Sequence, residues 1–137
     1  MIDILINESG RKSPEEAASY NILALAHLGD AVLELFARNY ALQKLNSNNG
    51  MQHLKTVELV NASAQSEAAM KLQPFMNEDE FAVYKRGRNA KVKAVPKHAE
   101  QADYHRSTGL EALFGYLFLT GESGRMTEFF NIGFIEG

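Results

Sequence analysis

The chain has 137 residues, 45% hydrophobic and 23% charged, a size and balance that fit one domain over residues 1–137. It lacks cysteine, which excludes disulfides, thiolate nucleophiles and cysteine-type zinc sites and points to a reducing, cytoplasmic compartment. The opening MIDILINESGRK has no basic patch followed by an apolar run, and no stretch reaches the roughly 18 apolar residues of a spanning helix, so no membrane association is expected. The net charge of −3 is unevenly spread: Lys85 to Arg106 carries +5 and the remainder −8. A polyanionic partner is therefore open.

In chain order, Ser13-Pro14-Glu15-Glu16 reads as a helix start, with a capping hydroxyl, proline at the first helical position and acids at the positive end of the dipole. Residues 1–18 otherwise give no assignable structure. A long helix is expected from about Asn21 to Leu45, where Leu25, Leu28, Val32, Leu35 and Phe36 recur at helical spacing. Leu23, Leu33 and Leu42 add apolar groups on other faces, which predicts burial on most sides. Asn46 to Gly50 is a turn by composition. Met51 to Leu72, with Leu54, Val57, Val60, Ala64 and Ala68 on one stripe, reads as a single amphipathic helix closed by Pro74. Asn77-Glu78-Asp79-Glu80 predicts a capped short helix. Regularity then weakens around Gly87 and Pro96. Further helices are expected from near Asp103 through Leu119, and around Met126, Phe129, Phe130 and Ile132. With no period-two alternation, the fold class is all-α.

Two acids stand in apolar surroundings. Asp30 lies within Leu28-Gly29-Asp30-Ala31-Val32-Leu33, and Glu111 within Leu110-Glu111-Ala112-Leu113-Phe114-Gly115. Burying either as an isolated ion is costly. If the two helices pack together, with Gly29 and Gly115 allowing close approach, both carboxylates can face one divalent cation. The competing reading, commoner on spacing alone, puts each acid on a polar edge or pairs it with a base such as Arg106. Glu34 could extend the acid cluster, but its placement four residues before Arg38 favours a helix ion pair. His27, three residues before Asp30, is read as an edge or core histidine because magnesium prefers oxygen ligands.

From Lys85 to Lys97 six cations occur without an acid. Gly87 and Asn89 between them suggest an exposed loop in which Lys85, Arg86, Arg88, Asn89, Lys91 and Lys97 follow a phosphate chain, against the alternative of a solvated charge run. Ser107 and Thr108 beside His105 read as backbone-bonded residues, not nucleophiles.

The segment Leu25-Ala26-His27-Leu28-Gly29-Asp30-Ala31-Val32-Leu33-Glu34 resembles the signature of the ribonuclease III fold. Lys85-Arg86-Gly87-Arg88-Asn89-Ala90-Lys91, Val95-Pro96-Lys97 and Ser107-Thr108-Gly109-Leu110-Glu111-Ala112-Leu113-Phe114-Gly115-Tyr116-Leu117 resemble its Mini branch in order and spacing. The resemblance covers about Leu23 to Gly121. It implies an all-α homodimer without a separate RNA-binding domain that cleaves double-stranded RNA with Mg2+, leaves 5′-phosphate and 3′-hydroxyl ends, and matures the ends of the 23S ribosomal RNA precursor in bacteria or plastids. It implies that Asp30 and Glu111 are the catalytic, metal-holding acids. A ribosomal protein partner is left open, as is a non-catalytic RNA-binding or ribosome-associated protein on the same fold. Full ribonuclease III has two further acids where this chain has Ala26 and Thr108, so more of the metal shell would be water, with one or two ions undecided. Basic residues expected in the Mini branch near Glu58 and Ser63 are absent.

Overall fold

Asparagine starts most of the helices. In the computed structural model, which describes residues 10–91 and 100–136, side-chain oxygens of Asn21, Asn48, Asn61 and Asn77 accept main-chain N–H groups of Ala24, Met51, Ala64 and Glu80 at 2.8–3.0 Å. Each such cap satisfies a donor the helix cannot, and contributes about 1 kcal/mol. The helices are α1 (Pro14–Ser19), α2 (Ile22–Leu45), α3 (Asn49–Val60), α4 (Ala62–Leu72), α5 (Glu78–Arg88), α6 (Gln101–Leu119) and α7 (Ser123–Phe130). A short 3₁₀ turn covers Gln73–Phe75 and a π-helical turn Asn131–Ile135. No strand occurs among the described residues, so the fold is all-α.

Three expectations are corrected. The predicted single helix over Met51 to Leu72 is two helices, because Asn61 adopts an extended backbone and caps α4 with its side chain. Its stripe divides accordingly: Leu54 and Val57 are exposed, while Ala68 is fully buried. Lys85, Arg86 and Arg88 belong to the last turn of α5 instead of a loop, since basic side chains suit the negative end of a helix dipole. Gly87 there is buried against α6, where a Cβ would stand 2.8 Å from the Gly109 Cα and 2.9 Å from the Ala112 Cβ, so the position takes glycine. Finally, α2 is not buried on most sides. Leu25, Val32, Leu33, Ala37 and Ala41 face inward, whereas Leu23, Leu35, Leu42 and Leu45 are exposed.

The core is built around α6, which lies against α2, α4 and α5. Leu110, Leu113, Phe114 and Leu117 of α6 meet Leu25 and Leu33 of α2, Leu72 of α4, Val83 and Tyr84 of α5, and Met126 and Phe129 of α7 in one cluster. Phe36 sits edge-on to Phe114 and stacks on Phe130, which stacks in turn on Phe134, so the π turn closes the core. Such aromatic pairs add about 0.5–1.5 kcal/mol each beyond their burial.

One ion pair pins the far end. Glu80, 3% exposed, accepts from Arg125 Nε and Nη2 at 2.9 and 2.8 Å, and Arg125 also reaches the Phe75 carbonyl and lies over the Phe129 ring. Glu80 also closes the capping box of α5 with Asn77. Near the N-terminus, the Lys12 N–H donates to the Leu119 carbonyl and Arg11 Nη2 to the Gly121 carbonyl, so the leading segment finishes the end of α6.

Candidate active site

The crossing of α2 and α6 carries the two acids. A Cβ built on Gly29 would fall on the Glu111 carbonyl oxygen, 2.6 Å from its carbon and 2.8 Å from the Gly115 nitrogen. One built on Gly115 would collide with the Leu25 carbonyl. The backbones of α2 and α6 are therefore in direct contact, as the two glycines predict. Asp30 follows Gly29, and Glu111 is the residue Gly29 rests on, so the same contact sets both carboxylates side by side.

Their proximity shows in the acid chemistry. The Glu111 carboxyl is pushed up from 4.5 to about 8, first by burial, then by the Asp30 charge and a hydrogen bond shared with Asp30, while Gln65 opposes the rise. Asp30 itself is exposed, so the pair opens to solvent on one side. Two like-charged oxygen groups held this close are relieved by a proton or by a hard cation. The donor set fits a magnesium-type ion, since it consists of carboxylate oxygens and Asp30 is open to water. No group of three or more acids, histidines or cysteines with metal-holding geometry occurs among the described residues.

The alternatives open in the sequence resolve. Arg106 does not pair with Asp30 or Glu111; it reaches Asp103 at 3.8 Å and the buried Ser66 hydroxyl at 3.3 Å. Glu34 pairs with Arg38 at 3.3 Å, as its spacing predicts. His27 is exposed. Ser107 and Thr108 hydroxyls both donate to the Tyr104 carbonyl, a backbone role.

Gln65, on α4, is the site neighbour that sequence reading misses. It is 4% exposed, its Nε2 donates to the Val60 carbonyl at 2.9 Å and to Glu111 Oε2 at 3.5 Å, and its Oε1 has no partner. A lone glutamine in an alanine-rich helix carries no pattern of its own.

The basic end of α5 is packed beside this crossing, because Gly87 rests on residues 108, 109 and 112 of α6. Lys85, Arg86 and Lys91 are exposed. Arg86 Nη1 donates to the Ala18 carbonyl at 2.6 Å, which ties α5 to the end of α1 and fixes the guanidinium. Arg88 lies over the Tyr84 ring at 5.6 Å and meets Asn89 Oδ1 at 3.4 Å. Burial raises the Tyr84 hydroxyl pKa, and Arg88 and Arg106 counter it. Lys97 lies outside the described residues.

Known proteins share this architecture. The family model of the Ribonuclease III domain matches residues 23–122, and the chain belongs to that family; it is an endoribonuclease. Its similarity is to short members: it is 40% identical over 116 residues to Mini-ribonuclease 3 of Clostridium tetani, covering 83% of this chain and 76% of that one. It is 42% identical over 106 residues to Mini-ribonuclease 3 of Symbiobacterium thermophilum, covering 77% and 82%. A crystal structure of a Fusobacterium nucleatum protein superposes with a TM-score of 0.78 at 31% identity, covering 83% of this chain and 91% of that one.

Proposed function

We propose that this chain is a single-domain, magnesium-dependent endoribonuclease that cleaves double-stranded RNA, leaves 5′-phosphate and 3′-hydroxyl ends, and trims the ends of the 23S ribosomal RNA precursor in the cytoplasm. The observation that carries the reading is the Gly29–Glu111 contact, which brings an acid from each of two helices together in surroundings that resist their charge. The family generally uses divalent metal ions. Asp30 and Glu111 would hold the ion, which supplies an activated water and stabilises developing phosphoryl charge. Lys85, Arg86, Arg88, Asn89, Lys91 and Lys97 would position the duplex through its phosphates. Because the RNA major groove is too narrow for side chains, recognition then rests on A-form shape and sequence choice is loose.

A homodimer is part of the reading. Leu35 and Leu42, seven residues apart on α2, and Leu54 and Val57 on α3 are apolar and exposed, as suits a face covered by a second copy. Each protomer would then cut one strand.

Purified protein incubated with duplex RNA should cut it with Mg2+, stop on addition of EDTA, and lose cleavage in Asp30→Asn and in Glu111→Gln. Undiminished cleavage by both variants would overturn the assignment.

A further inference from the structure

Gln65 is a buried amide whose two ends are treated unequally. Both Nε2 hydrogens are used, one on the Val60 carbonyl at 2.9 Å and the other toward Glu111 Oε2 at 3.5 Å, while Oε1 is buried without a donor. Reversing the amide would set its oxygen against the Val60 carbonyl, which can only accept, so the orientation is defined by that neighbour. An unsatisfied buried acceptor costs about 1–3 kcal/mol. Leucine or methionine would fill the position without that cost, so packing does not account for an amide here.

The directional N–H does. The Val60 carbonyl is main chain at the end of α3 and cannot swing, so it fixes the Gln65 side chain, and the second N–H then points along a fixed line at Glu111. When both acids are ionised, as cation binding requires, their repulsion tends to turn the Glu111 carboxylate away from Asp30, and a donor on Glu111 Oε2 resists that rotation. We infer that Gln65 is a positioning residue that holds the Glu111 carboxylate facing Asp30 and so sets the affinity of the pair for a divalent cation.

The inference rests on the proposed metal role of Asp30 and Glu111. Loss of a hydrogen-bond partner behind a metal ligand costs about 10- to 100-fold in metal affinity or activity. The Gln65→Met variant keeps the side-chain length and deletes the donor. Its Mn2+ dissociation constant, from electron paramagnetic resonance of free ion, should rise about tenfold or more, and its half-saturating Mg2+ in duplex cleavage should rise in parallel. The KM for RNA should stay at the wild-type value, and cleavage should recover toward wild type at high Mg2+. Unchanged Mn2+ affinity and unchanged half-saturation in folded Gln65→Met would overturn the inference. A second measurement needs no variant: in 15N-labelled wild-type protein the Gln65 side-chain amide resonance should shift on Mg2+ titration, and a stationary resonance would overturn it as well. Asp30→Asn, run alongside, separates the two claims. If it keeps Mn2+ binding and cleavage, the proposed metal pair is wrong. If it loses both while Gln65→Met matches wild type, the role of Gln65 alone falls.

Discussion

Replacing Gly29 by alanine puts a methyl group where α6 already is. The new carbon would stand 2.6 Å from the Glu111 carbonyl carbon and 2.8 Å from the Gly115 nitrogen, both main-chain atoms that no rotamer change can move. Clearing the Glu111 carbonyl oxygen, on which that carbon would fall, requires the helices to part by more than about 1 Å. Overpacking costs typically 1–3 kcal/mol, and a clash with backbone belongs at the top of that range or above. The intrinsic helix preference of alanine over glycine returns about 1 kcal/mol. The net loss is about 2 kcal/mol or more, which lowers the melting temperature by roughly 6–12 °C for a chain of this length. Gly124→Ala is the control, because a Cβ at that position in α7 meets nothing within 4 Å. Calorimetry on wild type and both variants reads the difference. Gly29→Ala should also lose metal affinity even well below its melting point, since parting the helices separates Asp30 from Glu111. A Gly29→Ala protein that melts with wild type and binds Mn2+ equally would refute the crossing geometry.

Three further outcomes are expected. Without metal, folded protein holds a proton on Glu111 up to about 8 that unfolded chain releases near 4.5, so the native state binds more protons in that window and stability must fall as pH rises through it. Urea titrations from pH 5 to pH 8 should show this decline, flattened in Glu111→Gln, and added Mg2+ should stabilise wild type more at pH 8 than at pH 6. Arg125→Met leaves the buried Glu80 carboxylate without its cation and should cost about 3–5 kcal/mol in urea unfolding, whereas Glu80→Leu together with Arg125→Met should recover part of that loss. In Asp30→Asn, duplex binding should persist with a steep dependence on salt, and adding Arg86→Ala plus Arg88→Ala should lower the slope of log K against log salt by about one for each phosphate these side chains neutralise; an unchanged slope would remove these arginines from the RNA interface.

How much of this is legible in the sequence differs by feature. The Asn77–Glu80 capping box and the Glu34–Arg38 pair are local, set by three- and four-residue spacing, and the structure has both. The Gly29 and Gly115 approach is also readable, because glycine inside an apolar helix implies a close neighbour. Gly87 obeys the same logic, serving contact with Gly109, but its position among cations gives it the look of a loop residue. The break at Asn61 is hidden because an asparagine cap can interrupt an alanine-rich pattern without disturbing its hydrophobic period. Gln65 is invisible in the sequence: its partners are the Val60 carbonyl and a side chain 46 residues away, and only tertiary packing brings the latter near.

The Gly29 contact has a consequence for how such a chain can change over time. Catalytic groups fall disproportionately on loops, which vary while the scaffold stays fixed. Here the two acids of the proposed site, Asp30 and Glu111, ride on the principal seam of the molecule, so any adjustment of their spacing is also an adjustment of the seam. Heat tolerance and turnover cannot be bred independently at this place, and selection for either will draw its changes from the periphery.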